Sequence, residues 1–390
     1  MREHKFKDQL KIELRKLASK NLLRDMVEIS SPQGSNVSIM GRNFLLFCSN
    51  NYLGLANHPD IIRASIEYAK RYGVGSGASR LISGTMTPHV ELEEKLKKFL
   101  SAEKTLLFNS GYHANVGTIS AIAQEGDTIF SDELNHASII DGCRLSKAKC
   151  IIYPHRNVEV LENLMKKERK RNGKGKSIIV SESLFSMDGN IAPIVELVAL
   201  KKRFGAVLIL DEAHAFGVIG KGGKGVAEQN GVEREVDIKI GTLGKAFGCF
   251  GAFVVSDATT INFLMNKARS FIYTTSLPPP IVGAAIKAIS LAEEAEDKRI
   301  QIRKNIEQIR GALSNLNGIK VENHIFTIIF GSSKQALMQA WKLFEKGIFA
   351  QSIRPPTVKP GTARIRFSIT SEHKEEDIYF LTQSLFSIFN

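Results

Sequence analysis

The sequence is poor in cysteine, in tryptophan and in long apolar runs. Its 390 residues include four cysteines and one tryptophan. The cysteines form no Cys-x-x-Cys pair, so the sequence predicts neither a metal site nor a disulfide framework. A reducing compartment, the cytoplasm, is therefore expected. Because no apolar run reaches the roughly 18–20 residues of a membrane-spanning helix, no membrane partner is expected.

The N-terminal stretch, residues 4–25, also lacks the uninterrupted apolar core of a signal peptide. Between its lysines and acids, apolar side chains recur at helical spacing: Phe6, Leu10, Leu14 and Leu17. This pattern predicts an amphipathic helix.

Acidic residues are outnumbered by basic ones. The chain has 53 lysines and arginines against 40 acids, a net charge of +13. Such an excess invites a nucleic-acid-binding interpretation, but the charge is spread along the chain. The one dense cluster, residues 166–176, is expected to be a solvated loop. We therefore expect no nucleic-acid partner; a basic surface also favours polyanionic substrates, such as coenzyme A or an acidic carrier protein, through long-range steering.

Short apolar runs alternate with helical stretches through the middle of the chain. Strands are predicted at residues 105–108, 127–131, 150–153, 177–183, 206–210, 237–240 and 252–255. This alternation predicts an α/β fold with a mostly parallel seven-stranded sheet flanked by helices. Three parts are expected: a helix and turn segment at 1–45, a large domain at 46–280 that ends in a run of prolines, and a small α+β domain at 281–390.

Polar and glycine-rich segments follow the predicted strands. They are residues 109–112, 132–136, 182–187, 211–214 and 242–245. Because the carboxyl ends of parallel strands meet at one edge of a sheet, these segments are expected to share a single site.

One lysine in these segments lies among glycines. Residues 241–251 place Lys245 just after a predicted strand and between four glycines. Glycine lets the backbone approach a bound molecule closely. An amine in a confined, partly apolar site has a lowered pKa and can form a Schiff base. On this segment alone, the alternative is a surface lysine in a turn.

A second segment favours a cofactor. Asp211 follows the apolar run at 207–210, and His214 lies three residues further on. A lysine that can trap an aldehyde and an aspartate that can keep a pyridine nitrogen protonated together suggest pyridoxal 5′-phosphate (PLP). The alternatives for Asp211 are a helix N-cap and a nucleotide-site acid. The second would need a phosphate loop upstream, and the sequence contains none.

Two further segments predict contacts to anions. The strand at 105–108 leads through residues 109–115 into a helix, whose first N–H groups form an anion site expected for the cofactor phosphate. Arg354 precedes two prolines in a rigid turn, an arrangement suited to binding a carboxylate bidentately. The alternative for Arg354 is an exposed arginine in a turn.

Seven short motifs, spread over nearly the whole chain, match one family. They are Ser49-Asn-Asn-Tyr-Leu-Gly-Leu, Gly75-Ser-Gly-Ala-Ser-Arg-Leu, Ser110-Gly-Tyr-His-Ala-Asn, Asn135-His-Ala-Ser, Phe185-Ser-Met-Asp-Gly, Asp211-Glu-Ala-His and Thr242-Leu-Gly-Lys. With these motifs the sequence resembles the α-oxoamine synthases, PLP enzymes of the aspartate aminotransferase fold type I.

The resemblance implies a role for each matching residue. Catalytic roles fall to Lys245 as the cofactor-binding amine and proton carrier, Asp211 on the pyridinium nitrogen, His214 on the phenolic oxygen and His136 on the ring face. Further cofactor contacts are implied for Gly111, Tyr112, Ser186, Thr242, Thr274 and Thr275. Substrate contacts are implied for Arg24, His136, Arg354 and Thr357. In this fold the segment of Thr274 and Thr275 reaches the phosphate of a neighbouring subunit, so a homodimer with shared sites is also implied.

The implied reaction is a decarboxylative condensation of an amino acid with an acyl thioester. Residues 353–358 resemble those of members that join L-alanine to a pimeloyl thioester, carried by coenzyme A or a carrier protein, in biotin biosynthesis. Residues 324–330 depart from the family pattern, which leaves the shape of the acyl pocket open. The alternatives are glycine with acetyl-CoA, serine with a long acyl chain, an autoinducer-type synthase, and a PLP-binding regulator without catalysis.

Overall fold

Two compact units divide the chain. The structure, a computed structural model, describes residues 2–171, 175–314 and 319–389. The larger unit consists of Asn50–Ser186 and Asn190–Arg299, and the smaller of Met1–Ser49, Met187–Gly189 and Ile300–Asn390. The expected N-terminal segment and the expected C-terminal domain therefore fall in one unit.

Helices and strands alternate along most of the described chain. The helices are α1 (Arg2–Ser19), α2 (Pro59–Tyr72), α3 (Thr87–Phe99), α4 (Gly111–Ile122), α5 (Ala137–Leu145), α6 (Val158–Arg171), α7 (Ile194–Phe204), α8 (Val226–Gln229), α9 (Ala258–Lys267), α10 (Arg269–Ile272), α11 (Pro279–Glu294), α12 (Glu296–Leu313), α13 (Ser333–Glu345) and α14 (Glu375–Phe389). The strands are β1 (Asn36–Ile39), β2 (Arg42–Leu46), β3 (Lys104–Phe108), β4 (Thr128–Asp132), β5 (Lys149–Tyr153), β6 (Ser177–Glu182), β7 (Val207–Asp211), β8 (Ile238–Thr242), β9 (Ala252–Ser256), β10 (Ile325–Gly331), β11 (Ile348–Phe349), β12 (Gln351–Ile353) and β13 (Ala363–Ser368).

One seven-stranded sheet forms the centre of the larger unit. Its strand order is β3-β9-β8-β7-β6-β4-β5. The strands β5, β4, β6, β7 and β8 pair in parallel, and β9 runs antiparallel to both of its neighbours. The predicted mostly parallel sheet is confirmed, and the predicted strand ends differ from the observed ones by at most two residues.

The middle of this sheet is apolar because helices α4, α7 and α9 pack against its strands and exclude water from them. One isoleucine from each of the strands β4, β6, β7 and β8 is at most 1% exposed: Ile129, Ile178, Ile209 and Ile240. They share a core cluster with side chains of α4, α5 and α9. Polar side chains are thereby confined to the strand ends, where the predicted site lies.

Residues 281–314, expected as one helix, form two. α11 ends at Glu294 and α12 begins at Glu296. The buried guanidinium of Arg299 donates to the carbonyls of Ala292 (2.7 Å) and Glu293 (3.4 Å), which satisfies carbonyl groups left open at the end of α11. Because α11 also packs against α2 and α3, the larger unit continues to Arg299 instead of ending at residue 280.

Two three-stranded sheets build the smaller unit, in the orders β10-β13-β12 and β1-β2-β11. Aromatic pairs support them: Phe326 and Phe367 stack with ring centroids 4.9 Å apart, and Phe44 and Phe344 at 4.3 Å. Trp341, the single tryptophan of the chain, stacks on Phe344 and is 61% exposed. The α+β architecture expected for the C-terminal part is confirmed.

The first helix, α1, confirms the predicted amphipathic helix over most of its length but ends at Ser19, six residues before the predicted end, and its apolar side chains Phe6, Leu10 and Leu14 are exposed. Among the described residues, no helix combines the length and the apolar character that crossing a bilayer requires.

The basic cluster at residues 166–176 is partly helical, contrary to the predicted loop. α6 continues to Arg171, and residues 172–174 lie outside the described residues. Lysine, arginine and glutamate are all good helix formers, which explains the extension. The side chains of Lys166, Lys167 and Lys170 are exposed, so the cluster is still a solvated surface.

Two neighbouring isoleucines of α5 provide a test of the core. Ile139 is fully buried, whereas Ile140 is 38% exposed. We expect Ile139→Ala to lower the free energy of unfolding by about 2–5 kcal/mol because it opens a cavity. Ile140→Ala should cost roughly 0.5–1 kcal/mol. Urea unfolding of both variants measures the difference, and equal losses would contradict the assigned core face of α5.

Candidate active site

The carboxyl ends of β6, β7 and β8 lie side by side. Glu182 at the end of β6 is in register with Asp211 at the end of β7, and Asp211 is in register with Ile240 of β8. β8 then leads through Thr242 to Lys245. Side chains from separate segments of the chain are therefore brought to one edge of the sheet.

A hydrogen-bonded loop presents Lys245. The amide of Leu243 donates to the carbonyl of Gly251 at 2.9 Å, and the amide of Gly248 donates to the carbonyl of Lys245 at 2.9 Å. Gly248 has φ +63°, and a Cβ at this position would lie 2.3 Å from the amide nitrogen of Ala56. Only glycine fits there, so the path of the backbone around Lys245 is fixed.

The carboxylate of Asp211 is oriented from two sides. Its Oδ2 accepts a hydrogen bond from Asn115 Nδ2 at 2.6 Å, and its Oδ1 accepts the amide of Ala213 at 2.8 Å. The residue is 7% exposed. Hydrogen bonds from N–H donors favour the charged form of a carboxylate.

A chain of hydrogen bonds connects this carboxylate with His136. Asn115 Nδ2 also donates to Ser138 Oγ at 3.0 Å, and Ser138 Oγ lies 2.8 Å from His136 Nδ1. The amide of Ser138 donates to the same nitrogen at 3.2 Å. Nδ1 is therefore assigned as an acceptor, and the neutral ring carries its proton on Nε2.

The charge state of His136 follows from its surroundings. Burial lowers the pKa of His136, the negative charges of Asp211 and Asp141 raise it, and the positive charge of Lys245 lowers it, so that the net shift is downward. A histidine with a lowered pKa is neutral at pH 7. The ring can therefore pack against a flat ligand without adding a positive charge.

His214 is held by a tyrosine from the motif that begins at Ser49. Its Nδ1 lies 2.7 Å from the hydroxyl of Tyr52, which is fully buried. The same hydroxyl donates to Asn50 Oδ1 at 3.0 Å. Because a hydroxyl has one proton, Nδ1 of His214 is assigned as the donor to Tyr52.

The N-terminus of α4 closes one side of the cavity. Ser110 caps the helix, its Oγ accepting the amide of His113 at 3.3 Å. The first helical residues, Gly111 and Tyr112, line the cavity. Amides at a helix N-terminus attract anions, so this end of the cavity suits a phosphate.

These elements enclose a cavity of about 180 Å³ in the larger unit. Seven residues predicted from the sequence line it: Gly111, Tyr112, His136, Asp211, His214, Thr242 and Lys245. Four more residues complete the lining: Asn115, Ser138, Glu182 and Ala213.

Three other predicted cofactor contacts of the larger unit do not line this cavity. The amide of Ser186 donates to Glu182 Oε2 at 3.2 Å, so Ser186 lies one contact away from it. Thr274 and Thr275 are bound to Asn109, whose Nδ2 donates to Thr274 Oγ1 at 2.9 Å and to the Thr275 carbonyl at 2.8 Å.

The predicted substrate arginines belong to the smaller unit, where each binds the backbone of the other's segment. The guanidinium of Arg354 donates to the carbonyls of Asn21 (2.5 Å) and Leu23 (3.2 Å), and that of Arg24 donates to the carbonyl of Arg354 (3.4 Å). Arg354 is 6% exposed, unlike an exposed turn arginine, and burial lowers its pKa. Thr357 is exposed in the turn that follows.

Sequence reasoning gave no role to Asn115, Ser138 or Glu182, although all three lie in segments that it noted. Asn115 is four residues after Gly111 and therefore on the same face of α4. Ser138 is two residues after His136, and Glu182 ends a buried strand. Each of the three could have been predicted as a site residue, because it is a polar residue at a helix start or strand end that lies beside another predicted site residue.

The set of side chains in the cavity fits PLP. Lys245 supplies an amine for its aldehyde, Asp211 a carboxylate for its ring nitrogen, and the start of α4 an anion site for its phosphate. Over the described part of the chain, no three His, Cys, Asp or Glu side chains are grouped so that they could hold a metal ion.

Comparison with known proteins agrees with this geometry. The family model for aminotransferase class I and II matches residues 42–385. The chain belongs to the class I and II aminotransferase family.

Individual relatives indicate a narrower group of enzymes than the family model does. The chain is 46% identical over 370 residues to an 8-amino-7-oxononanoate synthase of Geobacter sulfurreducens, 94% of each chain. A serine palmitoyltransferase from S. paucimobilis, solved with a bound PLP–myriocin aldimine, has a TM-score of 0.91 at 31% identity, covering 98% of this chain and 96% of that one. An 8-amino-7-oxononanoate synthase from Francisella tularensis has a TM-score of 0.74 at 29% identity, covering 89% and 99%. These relatives confirm the predicted resemblance to the α-oxoamine synthases.

The hydrogen-bond chain to His136 leads to a prediction about its titration. Because the charge of Asp211 raises the pKa of His136, we expect Asp211→Asn to lower that pKa further. Asp141→Asn should lower it by a smaller amount, since Asp141 is the weaker of the two acids acting on the ring. NMR titration of isotope-labelled histidine in the full chain measures both shifts. A pKa that rises in Asp211→Asn would contradict the electrostatic assignment.

Proposed function

We propose that the protein catalyses the decarboxylative condensation of L-alanine with a pimeloyl thioester, giving 8-amino-7-oxononanoate, CO2 and the free thiol, in biotin biosynthesis. It would then be a PLP-dependent C-acyltransferase. The observation that carries the proposal is the single cavity lined by Lys245, Asp211 and His136, in a chain 46% identical to an enzyme named for that product.

Asp211 and Lys245 would bind two different groups of the cofactor, its ring nitrogen and its aldehyde. Bound PLP supplies an electron sink that stabilises negative charge on the Cα of an attached amino acid. Lys245 would hold the cofactor through Nζ. Asp211 keeps a proton on the ring nitrogen, and because Asn115 and Ala213 already hold its carboxylate, no reorganisation is needed during the reaction.

The two histidines orient the ring. His136 offers a neutral imidazole whose direction is set by Ser138. His214, held by Tyr52, would bind the phenolic oxygen of the cofactor. Ser138 in the cavity lining and Tyr52 outside it fix these two side chains, so they can position the ring before substrate arrives.

Lys245 also moves the proton. Nζ of Lys245 would remove the Cα proton of the substrate alanine and would later return a proton to the same carbon. The loop at 242–251 fixes the backbone at both ends. Rotation of the side chain alone therefore has to carry Nζ between its two positions.

Arg354, Arg24 and Thr357 are proposed to bind substrate. The guanidinium of Arg354 is buried and donates to backbone carbonyls. A carboxylate accepts stronger hydrogen bonds than a carbonyl, so a substrate carboxylate can replace one of these carbonyls. The acyl donor is a thioester of coenzyme A or of a carrier protein, either of which suits the net charge of +13.

We also propose a homodimer with shared active sites, located in the cytoplasm. Near Thr274 and Thr275, large apolar side chains are exposed in the larger unit, including Val74 (79%), Ile82 (80%) and Tyr273 (71%). Apolar surface of this kind supports a subunit interface. The four free cysteines support a reducing compartment. Gel filtration that gives an active monomer would exclude the dimer.

A second candidate is serine palmitoyltransferase-like activity, favoured by the TM-score of 0.91 to that enzyme. One methyl group in a pocket changes binding by only about 1–3 kcal/mol, so relatives with different substrates can share this site.

Thiol release decides between the two. Alanine, glycine and serine are each assayed with pimeloyl and palmitoyl thioesters. We expect the highest kcat/KM for alanine with the pimeloyl thioester. A preference for serine with palmitoyl-CoA would overturn the proposed function.

Removing the amine should abolish the activity. Lys245→Ala is expected to lose the visible absorbance of the lysine-bound cofactor and to lower turnover more than about 10³-fold, since general acid–base catalysis alone contributes about 10²–10⁴. The matched control is Lys239→Ala, because Lys239 lies on β8, the strand that leads to Lys245, binds the Glu233 carbonyl and does not line the cavity. It should keep the absorbance.

Arg354→Ala should affect substrate more than cofactor. Loss of a charge-assisted hydrogen bond, worth about 1.5–3 kcal/mol, is expected to raise KM about 10–100-fold while PLP affinity is unchanged. Arg310→Ala serves as the control, because Arg310 also binds backbone carbonyls of the smaller unit, those of Val321 and Glu322. Equal losses of substrate and cofactor affinity in Arg354→Ala would assign it a structural role instead.

A further inference from the structure

Glu182 is a buried acid to which the proposed function gives no role. It ends β6, is 2% exposed and lines the same cavity as Lys245. Its Oε2 accepts the amide of Ser186 at 3.2 Å, and its Oε1 has no hydrogen-bond partner among the described residues. A buried carboxylate with so few donors is costly in its charged form.

Its neighbour in the sheet is better provided with donors. Asp211, which is in register with Glu182, has a donor on each oxygen, from Asn115 and from Ala213. When two carboxyl groups share a site, one of them retains its proton. The hydrogen bonds therefore place the negative charge on Asp211 and the proton on Glu182.

We propose that Glu182 is a positioning residue that stands in the cavity as a neutral carboxylic acid, leaves Asp211 as the single carboxylate facing the cofactor, and offers its Oε1 hydroxyl as a donor to a bound oxygen atom. This assignment rests on the proposed function, because PLP is the molecule that the two acids would face.

The charged groups around Glu182 support the same state. Burial and the charge of Asp211 on β7 raise the pKa of Glu182 to about 8, against the lowering effects of the Lys245 charge and of the Ser186 and His136 amides. His136 at the start of α5 is neutral at pH 7. His214 is held by Tyr52. Tyr112, the remaining titratable group of the lining, donates to Asp141, which raises the pKa of the tyrosine.

Ionisation of Glu182 would have a measurable consequence. Below the pKa of Glu182, Asp211 carries the one negative charge of the two neighbouring acids, and above it Glu182 adds a second negative charge beside the first. The ligands of the cavity are a phosphate-bearing cofactor and an amino-acid carboxylate, both anionic. Their affinity should therefore fall as pH rises through the pKa of Glu182.

The protonation state can be observed directly. Infrared difference spectra of the cofactor-loaded full chain, wild type minus Glu182→Gln, should contain the carbonyl stretch of a protonated carboxylic acid at pH 7. In the wild type this band should decrease in alkaline solution. A difference spectrum that contains only carboxylate bands at pH 7 would overturn the proposal, whether or not the enzyme is active.

The second measurement is the affinity for PLP from pH 6 to 9. Wild type should lose about tenfold in affinity relative to Glu182→Gln, because a neighbouring like charge is worth about one pKa unit or more. Glu182→Ala should weaken binding at all pH values, and the amide of Glu182→Gln should restore it by supplying a neutral donor.

Glu212→Gln is the matched control. Glu212 is also a buried acid, but Ser183 Oγ and the amides of Val226 and Ala227 donate to it, and it does not line the cavity. Its pH profile should follow that of wild type. Parallel profiles in wild type and Glu182→Gln would overturn the role of Glu182 alone. Failure of every protein, wild type included, to bind PLP would instead overturn the proposed function.

Discussion

The fixed charge of Asp211 is the constraint on which the site depends. The carboxylate stands at the end of β7, in the middle of the sheet, and two N–H donors hold it there. The other parts of the site are arranged relative to it. One of those donors, Asn115, continues through Ser138 to His136, so the ring-packing histidine and the ring-binding acid are positioned by the same amide. Lys245 follows the adjacent strand, β8.

The fold and the centre of the site could be predicted because their signals are local. A period of two or of 3.6 residues distinguishes strand from helix within a few residues, and glycines mark the loop around Lys245. Asp211 and Lys245 follow directly after apolar runs, so their meeting at one sheet edge required only the rule that parallel strands end together. The ends of helices were harder to predict: α6 continues into a basic stretch, and Ala295 interrupts what reads as one helix.

The remainder of the site depends on pairs that sequence alone does not connect. Asn115 and Asp211 are 96 residues apart, and Arg24 binds a carbonyl 330 residues away. No periodicity predicts such contacts. The same holds for the smaller unit, where β2 from the N-terminal part pairs with β11 from the C-terminal part. Two segments that look like separate domains in sequence therefore fold together.

The position of Trp341 gives the two units separate optical signals. The only indole of the chain belongs to the smaller unit, where it rests on Phe344 in contact with solvent. A coloured cofactor on Lys245 would belong to the larger unit. Ultraviolet emission and visible absorption, followed in one denaturation experiment, therefore distinguish whether the units melt together or in sequence, without an added dye.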